Sequence, residues 1–425
     1  MSGEGHAPGG PPGAGALTAL AVLYVVQGLP FGFQAHGLPG YLRAHGMDLP
    51  ELGLVRALSL PWVLKALWAP IIDRYGSDRL GRRRTWILPL QIALAITCAA
   101  AAAAPPDRGI VTLLVLVLLM NLFAATQDVA VDALAVDVLQ RQRLGVANAA
   151  QVGGYKVGML IGGGLLVWAS ASIGWHGMFG AMGALILLGL AAALWLRDPP
   201  RPAVDPAAEE VARARSSLGA VLSLTWDALR APGAGWVLAF VGTYKIGESL
   251  VDAMFSPFLI DAGFTPADLG RMLGTWGMGA SIAGSLAGGW LAHRLPLLTA
   301  VGVAALLRSG ALGAQCYLAV VGTPSADAVL AVSVAEHLFG GALTTAMFAF
   351  MMLRVRRAVG ATHWTALASV EVLGKSVALI SGMLAKKLGY AGLFALGTAL
   401  SLAFLLLLVP LRRLPNPAPG ASRNG

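Results

Sequence analysis

The sequence predicts an all-α polytopic membrane protein whose chain crosses the bilayer twelve times. Only 12% of its 425 residues are charged, 57% are hydrophobic and the mean hydropathy is +0.72. Soluble domains carry about 25% charged residues. A transmembrane helix needs about 20 mostly apolar residues, and such runs account for nearly the whole chain. We predict spans at 16–38, 51–72, 86–104, 110–137, 146–170, 177–196, 234–260, 267–292, 297–321, 328–352, 363–385 and 390–411.

The distribution of basic residues fixes the predicted orientation. Nineteen arginines lie on one side of the twelve-span arrangement, and at most six Lys and Arg residues lie on the other. Because short cytoplasmic loops are enriched in Lys and Arg, both termini are predicted to be cytoplasmic. The net charge of +9 then follows from topology and indicates no affinity for nucleic acid. We predict a disordered N-terminus (1–15), two six-helix bundles (16–197 and 233–411), a cytoplasmic linker (198–232) and a cytoplasmic tail (412–425).

The loop between spans two and three combines an acidic residue at a helix end with a glycine and a run of arginines. Asp73-Arg74 is followed by Gly81-Arg82-Arg83. This pattern resembles the loop signature of the major facilitator superfamily, with five residues inserted. The resemblance implies the major facilitator fold, two parallel six-helix halves, and a gating role for this loop. The alternative is that the arginines of this loop only fix the orientation of the protein in the membrane.

An internal repeat also indicates two halves. The pattern that links span one to span two recurs between spans seven and eight, as Tyr41-Leu42, Gly46 and Glu51-Leu52-Gly53 followed by Phe258-Leu259, Gly263 and Asp268-Leu269-Gly270. Glycine runs in spans five and eight predict closely packed helices, because small residues let membrane helices approach one another.

Two acidic residues in span four are the strongest candidates for proton coupling. Asp128 and Asp132 are four residues apart, so they lie on one helix face, with Gln127 beside them. Two like charges at this spacing repel each other, so one carboxyl group is expected to bind and release a proton. The alternative is a static ion pair between one of these residues and a lysine.

Four lysines lie within predicted spans, where charged side chains are costly and usually functional. Lys156 and Lys245 occupy near-identical contexts after Tyr155 and Tyr244, in opposite halves, and we predict that they bind an anionic substrate. The alternative is that Lys245 neutralises Glu248 and Lys156 neutralises Asp132. The full predicted substrate-binding set is Gln27, Lys65, Gln127, Tyr155, Lys156, Tyr244, Lys245, Glu248, Glu371 and Lys375.

Structural roles are also considered for Glu371, Lys375 and Arg308. Glu371 and Lys375 stand at i, i+4 spacing, where an intrahelical ion pair is as well supported as substrate contact. Arg308 in span nine is expected to snorkel to the membrane surface or to be structural.

Longer segments resemble a particular branch of the superfamily. Three segments of the first half are similar to segments of the AmpG muropeptide permeases and the related acetyl-CoA transporter family. They are PWVLKALWAPIIDRY, ATQDVAVDALAVDVL and GVANAAQVGGYKVGMLIGGGLLVW. Three segments of the second half look most like the corresponding segments of short orphan vertebrate members of the acetyl-CoA transporter branch. They are TYKIGE, EHLFGGALTTAMFAFMM and ATHWTALASVEVLGK. The resemblance implies secondary transport without ATP, proton-driven in AmpG, and its span-four acids match Asp128 and Asp132.

The resulting hypothesis is a proton-coupled transporter of an anionic polar metabolite, either an anhydromuropeptide or a CoA-type acyl nucleotide. We expect a monomer in the bacterial inner membrane, with the lipid bilayer, protons and a small anion as its partners. The sequence contains no His-x-x-x-x-Asp, His-x-x-His, Gly-x-Ser-x-Gly or P-loop pattern. No catalytic residue, metal site or cofactor is therefore predicted. A membrane enzyme and a non-transporting receptor are the less favoured classes.

Overall fold

The computed structural model describes residues 14–77, 79–105, 109–138, 144–196, 233–354 and 360–413. These residues form helices joined by short connections, with one isolated bridge between Ser77 and Gly81. The predicted linker 198–232, and most of the predicted N-terminus and tail, lie outside the described residues.

In its described ranges, the first half of the chain contains nine α-helices. A π-helical turn (Phe33–Gly37) joins the first two, 3-10 turns (Val55–Ser59 and Lys65–Leu67) flank the fourth, and a second π turn (Ile161–Leu165) joins the last two. The helices are α1 (Ala14–Gly32), α2 (Leu38–Ala44), α3 (Leu49–Leu54), α4 (Leu60–Leu64), α5 (Ala69–Arg74), α6 (Arg84–Ala102), α7 (Ile110–Val138), α8 (Leu144–Leu160) and α9 (Leu166–Trp195).

The second half continues in the same manner. A π turn (Gly270–Gly277) and 3-10 turns (Ser376–Ile380 and Leu405–Leu407) join some of its helices. These helices are α10 (Ala234–Thr243), α11 (Ile246–Asp261), α12 (Pro266–Leu269), α13 (Met278–Arg294), α14 (Leu297–Val321), α15 (Ala326–Arg354), α16 (Gly360–Lys375), α17 (Ser381–Phe404) and α18 (Leu408–Arg412).

The predicted membrane spans correspond to this helix order. Within the described ranges, seven helical runs are long and apolar enough to cross a membrane. Two of them, Gly153–Trp195 and Leu367–Arg412, are 43 and 46 residues long, which is enough for two spans each. The interrupted segments 49–74, 234–261 and 266–294 supply the remaining predicted spans.

Two glycines divide the longest runs. Gly174 in α9 has φ 70 and ψ 179, and Gly389 in α17 has φ 70 and ψ 170. This region of backbone conformation is open almost only to glycine. The chain therefore breaks between spans five and six, and between spans eleven and twelve, without a loop.

Replacing Gly174 should destabilise the protein through its backbone alone. Within the part of the chain that the structure describes, no atom lies within 4 Å of a Cβ built at Gly174, so Gly174→Ala adds the unfavourable positive φ without a clash there. We expect a loss of about 2 kcal/mol, measured as a lower apparent melting temperature in detergent. Gly180→Ala is the matched control, since Gly180 has equally open surroundings and an ordinary helical φ. An equal decrease in melting temperature in both variants would contradict the interpretation that the positive φ of Gly174 causes the loss.

The chain forms two compact units. Unit 1 comprises Met1–Tyr41, Leu58–Arg201 and Pro266–Thr275, and unit 2 comprises Leu42–Ala57, Pro202–Thr265 and Trp276–Gly425. The compact units thus follow the two halves of the sequence except at the segments Leu42–Ala57 and Pro266–Thr275. The predicted bundle boundaries at 197 and 233 lie next to residues 197–232, which the structure does not describe. These boundaries stay predictions.

Unit 1 is held together by an apolar core and by glycine contacts. Fully buried side chains in its core include Leu23 and Ile87. Helices α1 and α8 approach closely through their backbones, because a Cβ built on Gly158 would stand 2.1 Å from the Val25 carbonyl oxygen and 2.8 Å from the Cα of Gly28. The predicted close packing of span five is therefore present in the structure.

Unit 2 has a core of aromatic side chains. The ring of Phe240 stacks on that of Phe404 at a centroid distance of 4.5 Å and meets Phe350 edge-on at 5.2 Å. Gly284 on α13 packs against the Leu338 carbonyl of α15, leaving no room for a side chain. The aromatic core and this direct backbone contact between α13 and α15 hold the helices of unit 2 together.

Candidate functional site

Unit 1 contains an ion pair between the interrupted second span and α7. The Nζ atom of Lys65, in the 3-10 turn between α4 and α5, contacts Oδ2 of Asp128. The Asp128 side chain is 7% exposed and that of Lys65 31%. Lys65 also lies 5.5 Å from the centroid of the Trp62 ring. The structure thus shows the static pairing that the sequence left as an alternative for this aspartate.

Asp132 has different surroundings. Its Oδ1 atom accepts hydrogen bonds from the Tyr24 hydroxyl at 3.0 Å and from the Gln151 amide at 2.7 Å. Both donors are neutral, and they come from α1 and α8. The two aspartates of α7 therefore lie together as predicted, but one faces a cation and the other faces neutral donors.

Two predicted substrate-binding amides are completely buried. Among the described residues, neither amide atom of Gln27 or Gln127 has a hydrogen-bond partner. Buried polar groups normally have a partner, in the protein or in bound water or ligand. These two side chains are consequently suited to hydrogen-bond a polar ligand.

Aromatic rings lie next to this polar region. Tyr155, Phe31 and Trp62 form a cluster with centroid distances of 5.6 to 5.8 Å, and the Trp62 indole donates a hydrogen bond to Asn121 at 2.9 Å. Unit 1 thus combines buried charge, amide groups and aromatic surface. Lys156 is half-buried on α8, and its contact with a substrate stays a prediction.

Unit 2 contains a larger charged cluster, centred on Arg308. This arginine is 2% exposed and lies on α14. Its guanidinium contacts Oε2 of Glu248 and Oδ1 of Asp252, both at 3.3 Å, and also contacts the carboxylate and the backbone carbonyl of Glu336. His337 contacts the Glu336 carboxylate as well. We call these five residues, together with Lys245, the Arg308 cluster.

Lys245 joins the cluster at the break between α10 and α11. Its Nζ atom lies 2.5 Å from Glu248 and 3.1 Å from the Thr344 hydroxyl. The pairing of Lys245 with Glu248 that was considered from the sequence is present in the structure, with Lys245 just before α11 and Glu248 in its first turn. Binding of an anionic substrate by this lysine stays a prediction.

A separate ion pair lies on α16. Lys375 contacts Glu371 at 2.6 Å, with i, i+4 spacing, and the Tyr244 hydroxyl donates to Glu371 at 2.8 Å. Glu371 is buried, whereas the Lys375 side chain is 46% exposed. The intrahelical pair anticipated from the spacing is therefore present.

Of the two expectations for Arg308, snorkelling to the membrane surface is wrong and a structural role agrees with its contacts. Its guanidinium is buried among three carboxylates because α14 packs against α15 and α11, so it is held by ion pairs inside the unit. Glu336, which precedes His337 in span ten, was not predicted as a site residue. Acidic residues in otherwise apolar spans were the available signal, and Glu336 had the same signal as Glu248.

The predicted gating loop is partly described. Helix α5 ends at Arg74, but the side chains of Asp73 and Arg74 lie outside the described part of the structure. Gly81 has a φ of 95, and its carbonyl accepts hydrogen bonds from the amide and hydroxyl of Thr85. The motif thus shapes the entry into α6. The gating role of this loop, including Arg82 and Arg83, stays a prediction.

The architecture has a match among known families. A family profile described as Major Facilitator Superfamily matches residues 20–312. The chain belongs to this superfamily. The major facilitator fold predicted from the basic loop and the repeat is confirmed, and the chain is an integral, multi-pass membrane transporter of a small molecule.

Curated relatives match over almost the whole chain. The anhydromuropeptide permease of Escherichia coli (strain K12) is 29% identical over 93% of this chain and 79% of the relative. A Rickettsia conorii protein named transporter AmpG 4 is 23% identical over 92% of this chain and 95% of the relative. The similarity to AmpG permeases predicted from the quoted segments is confirmed.

Solved structures share the fold. A bacterial homolog of the human lysosomal transporter Spinster, in an inward-facing and unoccupied conformation, superposes with a TM-score of 0.68 at 17% identity and covers 95% of this chain and 96% of that chain. The nucleoside transporter NupG superposes with a TM-score of 0.67 at 13% identity, over 94% of this chain and 100% of that chain. At such low identity these two structures support the fold alone.

Proposed function

We propose that this transporter moves an anhydromuropeptide-like anionic metabolite, coupled to protons, by alternating access and without chemical conversion of the substrate. The observation that carries the proposal is the pair of aspartates on α7, in a chain similar to an anhydromuropeptide permease over 93% of its length. A monomer in the bacterial inner membrane, with both termini cytoplasmic, is part of this proposal.

The surroundings of the aspartates support proton coupling. Lys65 compensates Asp128, whereas Asp132 accepts hydrogen bonds from the neutral side chains of Tyr24 and Gln151. A carboxylate inside the bilayer is costly unless a charge or a proton compensates it. Binding of a proton to Asp132 would remove a negative charge one turn away from Asp128. Proton binding at Asp132 is therefore energetically favourable, and it can form one step of the transport cycle.

The polar lining of unit 1 supports a sugar- and peptide-containing substrate. Gln27 and Gln127 offer buried amide donors and acceptors, and Trp62 and Tyr155 offer aromatic surface on which a sugar ring can pack. Lys156, which follows Tyr155 on α8, would supply a positive charge that binds a carboxylate of the substrate. A CoA-type nucleotide is the alternative considered from the sequence, and it is tested below as a competitor.

The test is uptake of labelled anhydromuropeptide by proteoliposomes with an imposed pH gradient. We expect Asp128→Asn and Asp132→Asn each to reduce accumulation to the level of protein-free liposomes. Asp132→Asn removes the carboxyl group that binds the proton, and Asp128→Asn removes the neighbouring negative charge that favours proton binding. Asp327→Asn is the matched control, since Asp327 is exposed at the start of α15. Exchange of labelled for unlabelled substrate without a gradient shows whether each variant still transports.

Three results would contradict the proposal. Undiminished accumulation in both aspartate variants would remove the proton-coupling role. Displacement of uptake by acetyl-CoA, with no uptake of anhydromuropeptide, would favour the alternative substrate. A complete absence of uptake for both ligands in the folded wild-type protein would contradict this substrate class.

A further inference from the structure

Asp132 accepts both of its hydrogen bonds at the same oxygen atom. The hydroxyl of Tyr24 on α1 donates to Oδ1 at 3.0 Å, and the side-chain amide of Gln151 on α8 donates to Oδ1 at 2.7 Å. Among the described residues, Oδ2 accepts no hydrogen bond. All three residues belong to unit 1. The two oxygen atoms of this carboxyl group are therefore not equivalent.

The packing of α1 against α8 holds both donors in place. Tyr24 is 2% exposed and lies in the apolar core of unit 1. A Cβ built at Gly154 of α8 would stand 3.0 Å from the Cβ of Tyr24 and 2.9 Å from the Ala21 carbonyl oxygen. Gln151 precedes Gly154 by three residues and so lies on the same face of α8. The two donors thus come from the contact surface of two closely packed helices.

Asp132 has no ion-pair partner of its own among the described residues. Lys65 acts on it electrostatically, but the Nζ atom of Lys65 contacts Asp128. Asp128 lies one turn earlier on α7 and adds a second negative charge. In the described part of the site, the direct contacts that stabilise the Asp132 carboxylate are therefore the hydrogen bonds from Tyr24 and Gln151.

Other charged residues on the helices around α7 are engaged elsewhere or face away. Arg84 on α6 donates to the Leu194 carbonyl oxygen at 3.0 Å. Lys156 is five residues from Gln151, so it lies on a different face of α8. Helices α1 and α4 contain no charged residue, and the charged side chains at the end of α5 lie outside the described part of the structure.

The two donors decide where a proton can bind. A carboxylate oxygen has two lone pairs, and hydrogen bonds from Tyr24 and Gln151 occupy both of those on Oδ1. A proton on Oδ1 would have to displace a donor, whereas a proton on Oδ2 leaves both contacts intact. Hydrogen bonds to the charged form of a carboxyl group oppose proton binding, and a nearby negative charge favours it. Tyr24 and Gln151 thus act against Asp128.

We propose that Tyr24 and Gln151 are positioning residues, which direct the proton to Oδ2 of Asp132 and set the pH at which it binds. The proton comes from water and adds to Oδ2, and no other bond changes. The inference rests on the proton-binding role of Asp132 in the proposed function. It adds the atom that binds the proton and the two side chains that control the binding.

Infrared spectroscopy of the purified full-length protein over a range of pH tests the proposal without a substrate. A protonated carboxyl group absorbs separately from a carboxylate, and the carboxyl band that Asp132→Asn removes belongs to Asp132. We expect the midpoint of this band to lie about one pH unit higher in Tyr24→Phe and in Gln151→Leu than in the wild type. Each variant loses a donor to the carboxylate, so the proton binds at higher pH. The double variant should show a larger shift.

The frequency of the same band tests which oxygen atom binds the proton. With the proton on Oδ2, the C=O bond ends at Oδ1, and a hydrogen bond from Tyr24 lowers its stretching frequency. Tyr24→Phe should therefore raise the frequency. With the proton on Oδ1, the C=O bond would end at Oδ2, and the substitution would leave the frequency unchanged.

Tyr41→Phe is the matched control. It removes a hydroxyl group from the same unit, but that hydroxyl contacts the Ser170 hydroxyl at 2.5 Å and no carboxylate. We expect both the midpoint and the frequency of the Asp132 band to equal those of the wild type. If Gln151→Leu does not yield monodisperse protein, Tyr24→Phe decides alone, because it removes a single oxygen atom.

Three results would overturn the inference: wild-type midpoints in Tyr24→Phe and Gln151→Leu, an unchanged frequency in Tyr24→Phe, or an equal midpoint shift in Tyr41→Phe. If no carboxyl band depends on Asp132, the proton-binding role of Asp132 in the proposed function is overturned as well. The expected midpoints and frequency in a protein that takes up no anhydromuropeptide would support this inference and contradict the proposed substrate.

Discussion

Arg308→Gln is expected to lower the stability of the folded protein by about 3–5 kcal/mol. The guanidinium is 2% exposed and contacts Glu248, Asp252 and Glu336. Glutamine supplies neither the positive charge nor the number of donors, so three carboxylates would remain close together with much less compensation. Removing one member of a buried ion-pair network leaves the others with their full desolvation cost, which makes this the largest effect that we predict.

The measurement is the apparent melting temperature of the purified protein in detergent. Arg271→Gln is the matched control, because Arg271 and Asp268 form an ion pair at 3.7 Å with side chains 42% and 36% exposed. Such surface pairs contribute about 0–1 kcal/mol. If the control variant were as unstable as Arg308→Gln, the buried network would contribute no more to stability than the exposed ion pair.

Gly158→Ala is expected to destabilise unit 1 by about 3 kcal/mol. The added methyl group would stand 2.1 Å from the Val25 carbonyl oxygen and 2.8 Å from the Cα of Gly28. These are backbone atoms of α1, so no side chain can rotate away and the two helices must separate. Loss of close packing would extend along the whole contact between α1 and α8.

Gly153→Ala provides the control for this substitution. Gly153 lies on the same helix, but no atom of the described residues lies within 4 Å of a Cβ built there. We expect its melting temperature to match that of the wild type, or to rise slightly because alanine favours the helix. Similar losses in the two variants would mean that helix propensity or expression, and not contact with α1, determines the effect.

The fold could be predicted from the sequence because its main signals are local. Span length is set by bilayer thickness, and orientation by the Lys and Arg content of short loops. Predicted span three, 86–104, is found as Arg84–Ala102, and predicted span four, 110–137, is found as Ile110–Val138. The bounds differ by a residue or two because the apolar run and the helix end at different residues.

The partners within the candidate site could be predicted only where they are near in sequence. Glu371 with Lys375, and Lys245 with Glu248, follow from helical spacing. Lys65 and Asp128 are 63 residues apart. In a span that is apolar on every side, hydropathy does not show which face meets lipid and which meets protein. For this reason the burial of Arg308 and its contact with Glu336 could not be predicted from the sequence, although Glu336 itself stands out as an acidic residue in an apolar span.

The break between α10 and α11 has a consequence for the charges beside it. Lys245 follows the C-terminal end of α10, and Glu248 lies in the first turn of α11. Peptide dipoles make the C-terminal end of a helix negative and the N-terminal end positive, and each favourable charge there gains about 0.3–1 kcal/mol. Both side chains thus meet a helix end of opposite sign. An unbroken helix would have no such ends at this depth, so the interruption lets the peptide backbone itself solvate an ion pair where water is scarce.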